Sequence, residues 1–299
     1  MKHLKNYACA AILLAATTAL AATRSVPSQY STIQAAINAA ASGDTISIAN
    51  GTYNEQDTIP STKNHLTFIG ASQTGVLIQS GANQTTMTIH GTDITFSTLT
   101  IANTLLSGST SSHAVYVDSL RVEFYRCYIN GWQDTFAIWN NAVVYCSLSE
   151  VRGEVDFIYS GGTAFFSSCN IRQCNTTGGY NTAPSTPATV TYGFVFNSCT
   201  ICRTGNVGDN TSWLMRPWYP NGETAYINCS MDSHITAAGW APWGGRESTC
   251  RAAEYGSKTL SGATIDLSKR SSWCVRLTSA QAAQYSKSSV LGGWTPPLP

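Results

Sequence analysis

An internal repeat restricts the fold of this chain more than any other feature of it. An anchor residue has apolar neighbours five and three positions before it and two positions after it, and six segments carry the pattern. Around Leu99 the set is Ile94, Phe96, Leu99 and Ile101; around Cys127 it is Val122, Phe124, Cys127 and Ile129. Cys169 repeats it with Ala164, Phe166 and Ile171, and Cys199 with Phe194, Phe196 and Ile201. Cys146 and Cys229 keep the last three positions, through Val143 and Leu148 and through Tyr226 and Met231, with polar Asn141 and Thr224 at the first. Side chains alternate faces along a strand, so the odd step to the anchor would turn it outward unless a corner intervenes. Two short strands joined by such a corner form part of one coil of a β-solenoid. The anchors recur after 28, 19, 23, 30 and 30 residues, a coil of about 20 to 25 residues with surface loops added. The expected fold is all-β, a right-handed parallel β-helix built as a single-stranded solenoid.

In that fold the anchor cysteines stack inside the solenoid, about 4.8 Å apart from coil to coil. They act there as small hydrophobic groups, with some neighbours open to bridging. A zinc site built from Cys169, Cys174, Cys199 and Cys202 is the alternative. Ile33 to Ala41, apolar at Ile33, Ala36, Ile37 and Ala40, has the spacing of a short helix capping the N-terminal mouth. Beyond Thr249 the pattern fades, and a C-terminal tail packed on the outside is expected.

The first residues read as a secretory signal. Lys2 and Lys5 precede an apolar run from Tyr7 to Leu20 that is too short to span a bilayer, and Ala19 and Ala21 flank Leu20 as signal peptidase requires. Residues 1–21 are therefore expected to be removed, and residues 22–299 to form one secreted, extracellular domain. Two of the 17 basic residues lie in the signal, so the remaining 15 nearly balance the 16 acidic ones. That neutrality argues against a nucleic-acid partner. Nine cysteines remain after the loss of Cys9, so at least one lacks an intramolecular partner. Sequons stand at Asn50, Asn83, Asn175, Asn210 and Asn228.

The repeat leaves some polar residues unexplained. Gly131-Trp132-Gln133-Asp134-Thr135-Phe136 follows the Cys127 segment, and Gly153-Glu154-Val155-Asp156-Phe157-Ile158 follows the Cys146 segment. The two aspartates are one coil apart, which puts them on one face of adjacent coils. Carboxyls that close do not both ionise, so one holds a proton at neutral pH. An acid beside a carboxylate suits acyl or glycosyl transfer. Leu214-Met215-Arg216-Pro217-Trp218 adds an arginine able to hold one aspartate by two hydrogen bonds, and a tryptophan for a sugar ring.

In these three segments, taken in order, the chain resembles the pectin methylesterases, which carry Gly-Tyr-Gln-Asp-Thr, Val-Asp-Phe-Ile-Phe-Gly and Leu-Gly-Arg-Pro-Trp at similar separations. The similarity continues through Gly51-Thr52-Tyr53-Asn54-Glu55, Ala238-Gly239-Trp240 and the segment Leu277 to Ala283, the last closer to fungal than to plant members. The resemblance implies Asp156 as nucleophile, Asp134 as general acid and then base, Arg216 as the group holding Asp156, and Gln133 as an oxyanion donor. It implies pectin as the partner and neither metal nor cofactor, in a monomer that binds neither nucleic acid nor membrane. Tyr159, Trp218 and Trp240 are the candidates for lining the sugar site. The chain departs from the family with His113 in place of a glutamine before Ala114-Val115, Trp132 for Tyr, Met215 for Gly and Ser160 for Gly. His113 is the candidate second oxyanion donor, and Met215 would narrow the cleft beside Arg216.

Each of these residues also has a plainer reading. A lone Asp after a turn caps backbone N–H groups, the tryptophans could pack a loop, and His113 could be structural. Rival functions are another pectin-active β-helix enzyme, whose Asn-Thr-Asp, Gly-His-Gly and Arg-Ile-Lys motifs are missing here, and a pectin-binding scaffold without activity, which His113 and Met215 would favour. The lack of a Gly-x-Ser-x-Gly elbow argues against a serine esterase.

Overall fold

The structure, a computed structural model, describes residues 20–81, 83–105, 113–139 and 141–298. Most of the expected signal peptide, residues 1–19, lies outside the described residues. Among the described residues, strands form three parallel sheets of eleven, nine and seven strands, and the chain visits them in turn on each coil. This is the parallel β-helix that the repeat predicts. Among the described residues, no helix is long and apolar enough to cross a membrane.

The inferred corner is a single residue in the left-handed region. Thr98, Arg126, Ser168, Ser198 and Asn228, each just before an anchor, have φ of 59°, 52°, 52°, 54° and 54°. One such residue reverses the alternation and turns the anchor back inside. Position −3 carries the core's main support. Phe68, Phe96 and Phe124 stack with ring centroids 4.6 and 5.1 Å apart, and Phe166, Phe196 and Tyr226 stack 4.6 Å apart.

One coil is shifted from the expected register. Phe124 pairs with Cys146 and Tyr128 with Glu150, so Cys146 occupies position −3 and the anchor is Ser149. Leu148 is then the corner, 48% exposed at φ 49°, rather than a core residue. Ser149 is buried in the anchor site because its hydroxyl accepts the Cys127 N–H at 2.9 Å and donates to the Ser147 carbonyl at 2.9 Å. Phe136 fills the room that the small Cys146 leaves, meeting Phe124 and Phe166 edge-on at 5.4 and 6.4 Å.

The true anchors Cys127, Cys169, Cys199 and Cys229 are buried free thiols. Burial pushes the Cys127 thiol up to about 12. Cys199 and Cys229 lie within sulfur hydrogen-bond range of the Phe166 and Phe196 carbonyls, at 3.4 Å each. Cys202 faces away from this ladder, half-exposed beside Arg172, because Ile201 takes the inward position. Replacing Cys127 or Cys169 with Ala is expected to lower stability by about 1–2 kcal/mol through a small cavity and to leave activity unchanged. Thermal melts beside rate assays check this; lost activity at unchanged stability would contradict it.

The capping helix runs Ile33–Ala39, two residues shorter than expected, because Ala40 is already extended. Thr32 caps it, and Glu55 accepts the Ile33 N–H from the next coil. The solenoid also continues past Thr249. Arg251–Tyr255 pairs with Glu223–Ile227, and Lys258–Thr259 with Ser230–Met231. Its pattern is hard to read because position −3 is Glu254, held inside by buried Arg270 at 2.9 and 3.0 Å. The tail beyond packs on the outer face of the first sheet. There Ala282, Val290 and Leu291 cover Tyr145, Phe165, Val195 and Ala225.

Candidate active site

The third sheet carries the site. Gly131 and Gly153 each stand where the chain turns into it, and each lies against the residue four positions on. A Cβ on Gly131 would come 2.7 Å from the Thr135 hydroxyl, and one on Gly153 2.1 Å from the Phe157 Cβ. Each turn presents its aspartate at a left-handed residue, with φ of 58° at Asp134 and 52° at Asp156. Phe136 pairs with Ile158, and the Asp134 N–H donates to the Val155 carbonyl at 3.1 Å. The two aspartates therefore occupy equivalent places on neighbouring coils. Asp134 and Gln133 are half-buried, whereas Asp156 is 6% exposed.

Arg216 reaches Asp156 from two strands away. It follows the strand Trp213–Met215, and its own N–H donates to the Thr182 carbonyl at 3.0 Å. Its Nε and Nη2 donate to the two Asp156 oxygens at 2.8 and 2.6 Å. Burial pushes the Asp156 carboxyl above its ordinary range, and Arg216 offsets part of that rise. A carboxylate held by a guanidinium and largely shielded from water is suited to act as a nucleophile.

Beside the acids lies an aromatic platform. Outward positions on adjacent strands pair Tyr116 with Ala137, Ala137 with Tyr159, and Tyr159 with Ala183. Trp139 and Trp218 settle over the small residues, 6.4 and 5.6 Å from the Tyr159 ring. Flat faces in a row suit successive sugar rings. Burial, then the charge of Asp134, push the Tyr159 hydroxyl up, so it stays protonated.

The structure corrects three expectations. Trp240 has no exposed surface; it packs on Tyr226 and Trp273 at 5.8 and 6.3 Å, and so offers no face to a sugar. Met215 is also fully buried in the solenoid core and does not narrow the cleft. His113 is drawn away from an oxyanion role. One ring nitrogen meets the Thr85 hydroxyl at 3.0 Å, the other the Tyr159 hydroxyl at 2.7 Å, and burial lowers its pKa. His113 orients Tyr159 instead. His113→Ala is expected to raise KM about fivefold, the worth of one hydrogen bond, with kcat little changed. A larger fall in kcat would restore the oxyanion role.

Sequence reasoning missed Tyr116, Trp139, Tyr180 and Trp243. The first two carried a signal, being large apolar residues at outward positions next to the aspartate coils. Tyr180 and Trp243 carried none, since coil register alone brings them to Arg216. Among the described residues, no group of three or more His, Cys, Asp and Glu side chains is placed to hold a metal.

A carboxylate clamped by arginine, a second acid on the next coil and a row of aromatic faces define a β-helix enzyme of the polysaccharide-acting kind. A family model described as Pectinesterase matches residues 20–293. Pectinesterase A of Dickeya dadantii is 33% identical, over 90% of this chain and 89% of its own length. A crystal structure of a pectin methylesterase in complex with a hexasaccharide superposes with a TM-score of 0.77 at 30% identity, covering 95% of this chain and 100% of that one. The carrot pectin methylesterase has the same fold, with a TM-score of 0.83 at 24% identity over 91% of this chain and 93% of that one. This chain belongs to the pectinesterase family.

Proposed function

We propose that this protein hydrolyses the methyl esters of galacturonate units in pectin, with Asp156 as the nucleophile. The bidentate clamp of Arg216 on a nearly buried Asp156, with Asp134 at the equivalent place one coil away, carries the reading. An Asp156 oxygen attacks the ester carbonyl, and the carbon–methoxy bond breaks as Asp134 gives its proton to the departing methanol. The acyl-enzyme is a mixed anhydride. Water, losing a proton to Asp134, attacks the galacturonyl carbon and releases the Asp156 carboxylate. Gln133, adjacent to Asp134, donates to the oxyanion of both tetrahedral intermediates. Tyr159 and Trp218 hold the sugars, supported by their place on the platform beside the acids. Residues 22–299 act as one secreted monomeric domain. Its nearly neutral charge suits a polymer whose carboxylates are masked as esters.

The test is an assay on highly methylated pectin that follows methanol, reducing ends and unsaturated product together. Methanol alone is expected. Reducing ends or unsaturated product without methanol would make this a depolymerase, and binding without any product would make it an inactive scaffold.

A further inference from the structure

Two aromatic rings enclose the guanidinium of Arg216. Its Cζ lies 4.1 Å from the centroid of the Tyr180 ring and 4.1 Å from that of the Trp243 ring. Two rings this close to one carbon cannot share a face of the guanidinium without overlapping, so each takes one. The donor edge between them points at Asp156. We propose that Tyr180 and Trp243 are positioning residues of the reaction, which clasp Arg216 so that its donor edge stays in the plane of the Asp156 carboxylate. The inference rests on the reading of Asp156 as nucleophile and adds the residues that keep its partner in line.

The chain builds the clasp from two distant segments. Tyr180 opens the strand Tyr180–Pro184 and pairs with Val155, next to Asp156. It therefore lies beneath the path that Arg216 takes across the sheet. Trp243 comes from the segment after Trp240, half-buried, and its backbone N–H donates to the Glu247 carboxylate at 3.0 Å. Arginine has a long flexible stem, and a two-pronged bond to a carboxylate needs both planes aligned. Rings on both faces hold that plane, exclude water from it and attract the cation through their π-clouds. The charged and titratable groups around this assembly include Asp134 on the neighbouring coil, the Tyr159 and Tyr180 hydroxyls, the Glu247 carboxylate bonded to Trp243, and Arg246, whose guanidinium lies 5.4 Å from the Trp243 ring.

The experiment compares wild type with Trp243→Ala, Trp243→Phe and Tyr180→Leu. For Trp243→Ala, kcat is expected to fall about tenfold while KM moves less than about twofold. The acid limb of its kcat profile should move to higher pH, because a loose guanidinium opposes the burial of Asp156 less well. Trp243→Phe should recover most of the rate, since a ring returns to the same face. Apart from activity, the Arg216 Nε–H resonance, assigned by its loss in Arg216→Lys, should be ring-current shifted in wild type and relax in Trp243→Ala and Tyr180→Leu. A rise in KM with kcat and pH profile unmoved would make Trp243 a sugar contact and overturn the proposal. So would an Nε–H resonance that the variants leave in place. If wild type itself releases no methanol, the functional reading fails, and the resonance still decides whether the clasp exists.

Discussion

Asp156→Asn is expected to lose turnover by roughly a thousandfold or more while still binding pectin, because the amide keeps the shape and loses the attacking charge. Substantial residual activity in a pure preparation would remove Asp156 from the nucleophile's role. The same variant carries a prediction about stability. The folded pKa of Asp156 is raised, so the group favours the fold while protonated, and that contribution is lost as pH rises through the folded value. Above the folded pKa the buried carboxylate is a burden that asparagine lacks. Asp156→Asn should therefore melt no lower than wild type there, and a clear drop would mean that the Arg216 clamp outweighs burial.

Arg216→Lys is expected to cost about a hundredfold in kcat. A lysine ammonium carries the same charge but has no second prong, and it has no plane for Tyr180 and Trp243 to hold. Asp156 would lose the interaction that offsets its burial, so the acid limb of the rate profile should also move to higher pH. Steady-state kinetics across the pH range check both effects. A lysine variant close to wild type would mean that Arg216 is a structural residue.

The fold was legible where the repeat is apolar and hidden where polar residues take core positions. Phe96, Phe124, Phe166 and Phe196 announce their coils, because an aromatic ring at position −3 with an apolar anchor has few other uses in a strand. Ser149 and Glu254 sit at equally buried positions, but partners elsewhere in the chain satisfy them, so their own segments do not betray the coil. Hence the three-residue shift of register at Cys146 and the missed strand Arg251–Tyr255. The acids were legible because their spacing matches a coil and Gly131 and Gly153 mark their turns. Trp240 misled because its segment resembles the family's while its side chain faces inward, and a motif does not state direction. Tyr180 and Trp243 depend on how coils stack, which short segments do not encode.

A trapping experiment tests the covalent role of Asp156 most directly. Wild type turning over methylated pectin is quenched with hydroxylamine, which intercepts a mixed anhydride, and its peptides are mapped by mass spectrometry. The account predicts a hydroxamate at Asp156, absent without substrate and absent in Asp156→Asn. Attack on the galacturonyl side of the anhydride leaves Asp156 free, so the contradicting result is a hydroxamate at Asp134 with none at Asp156.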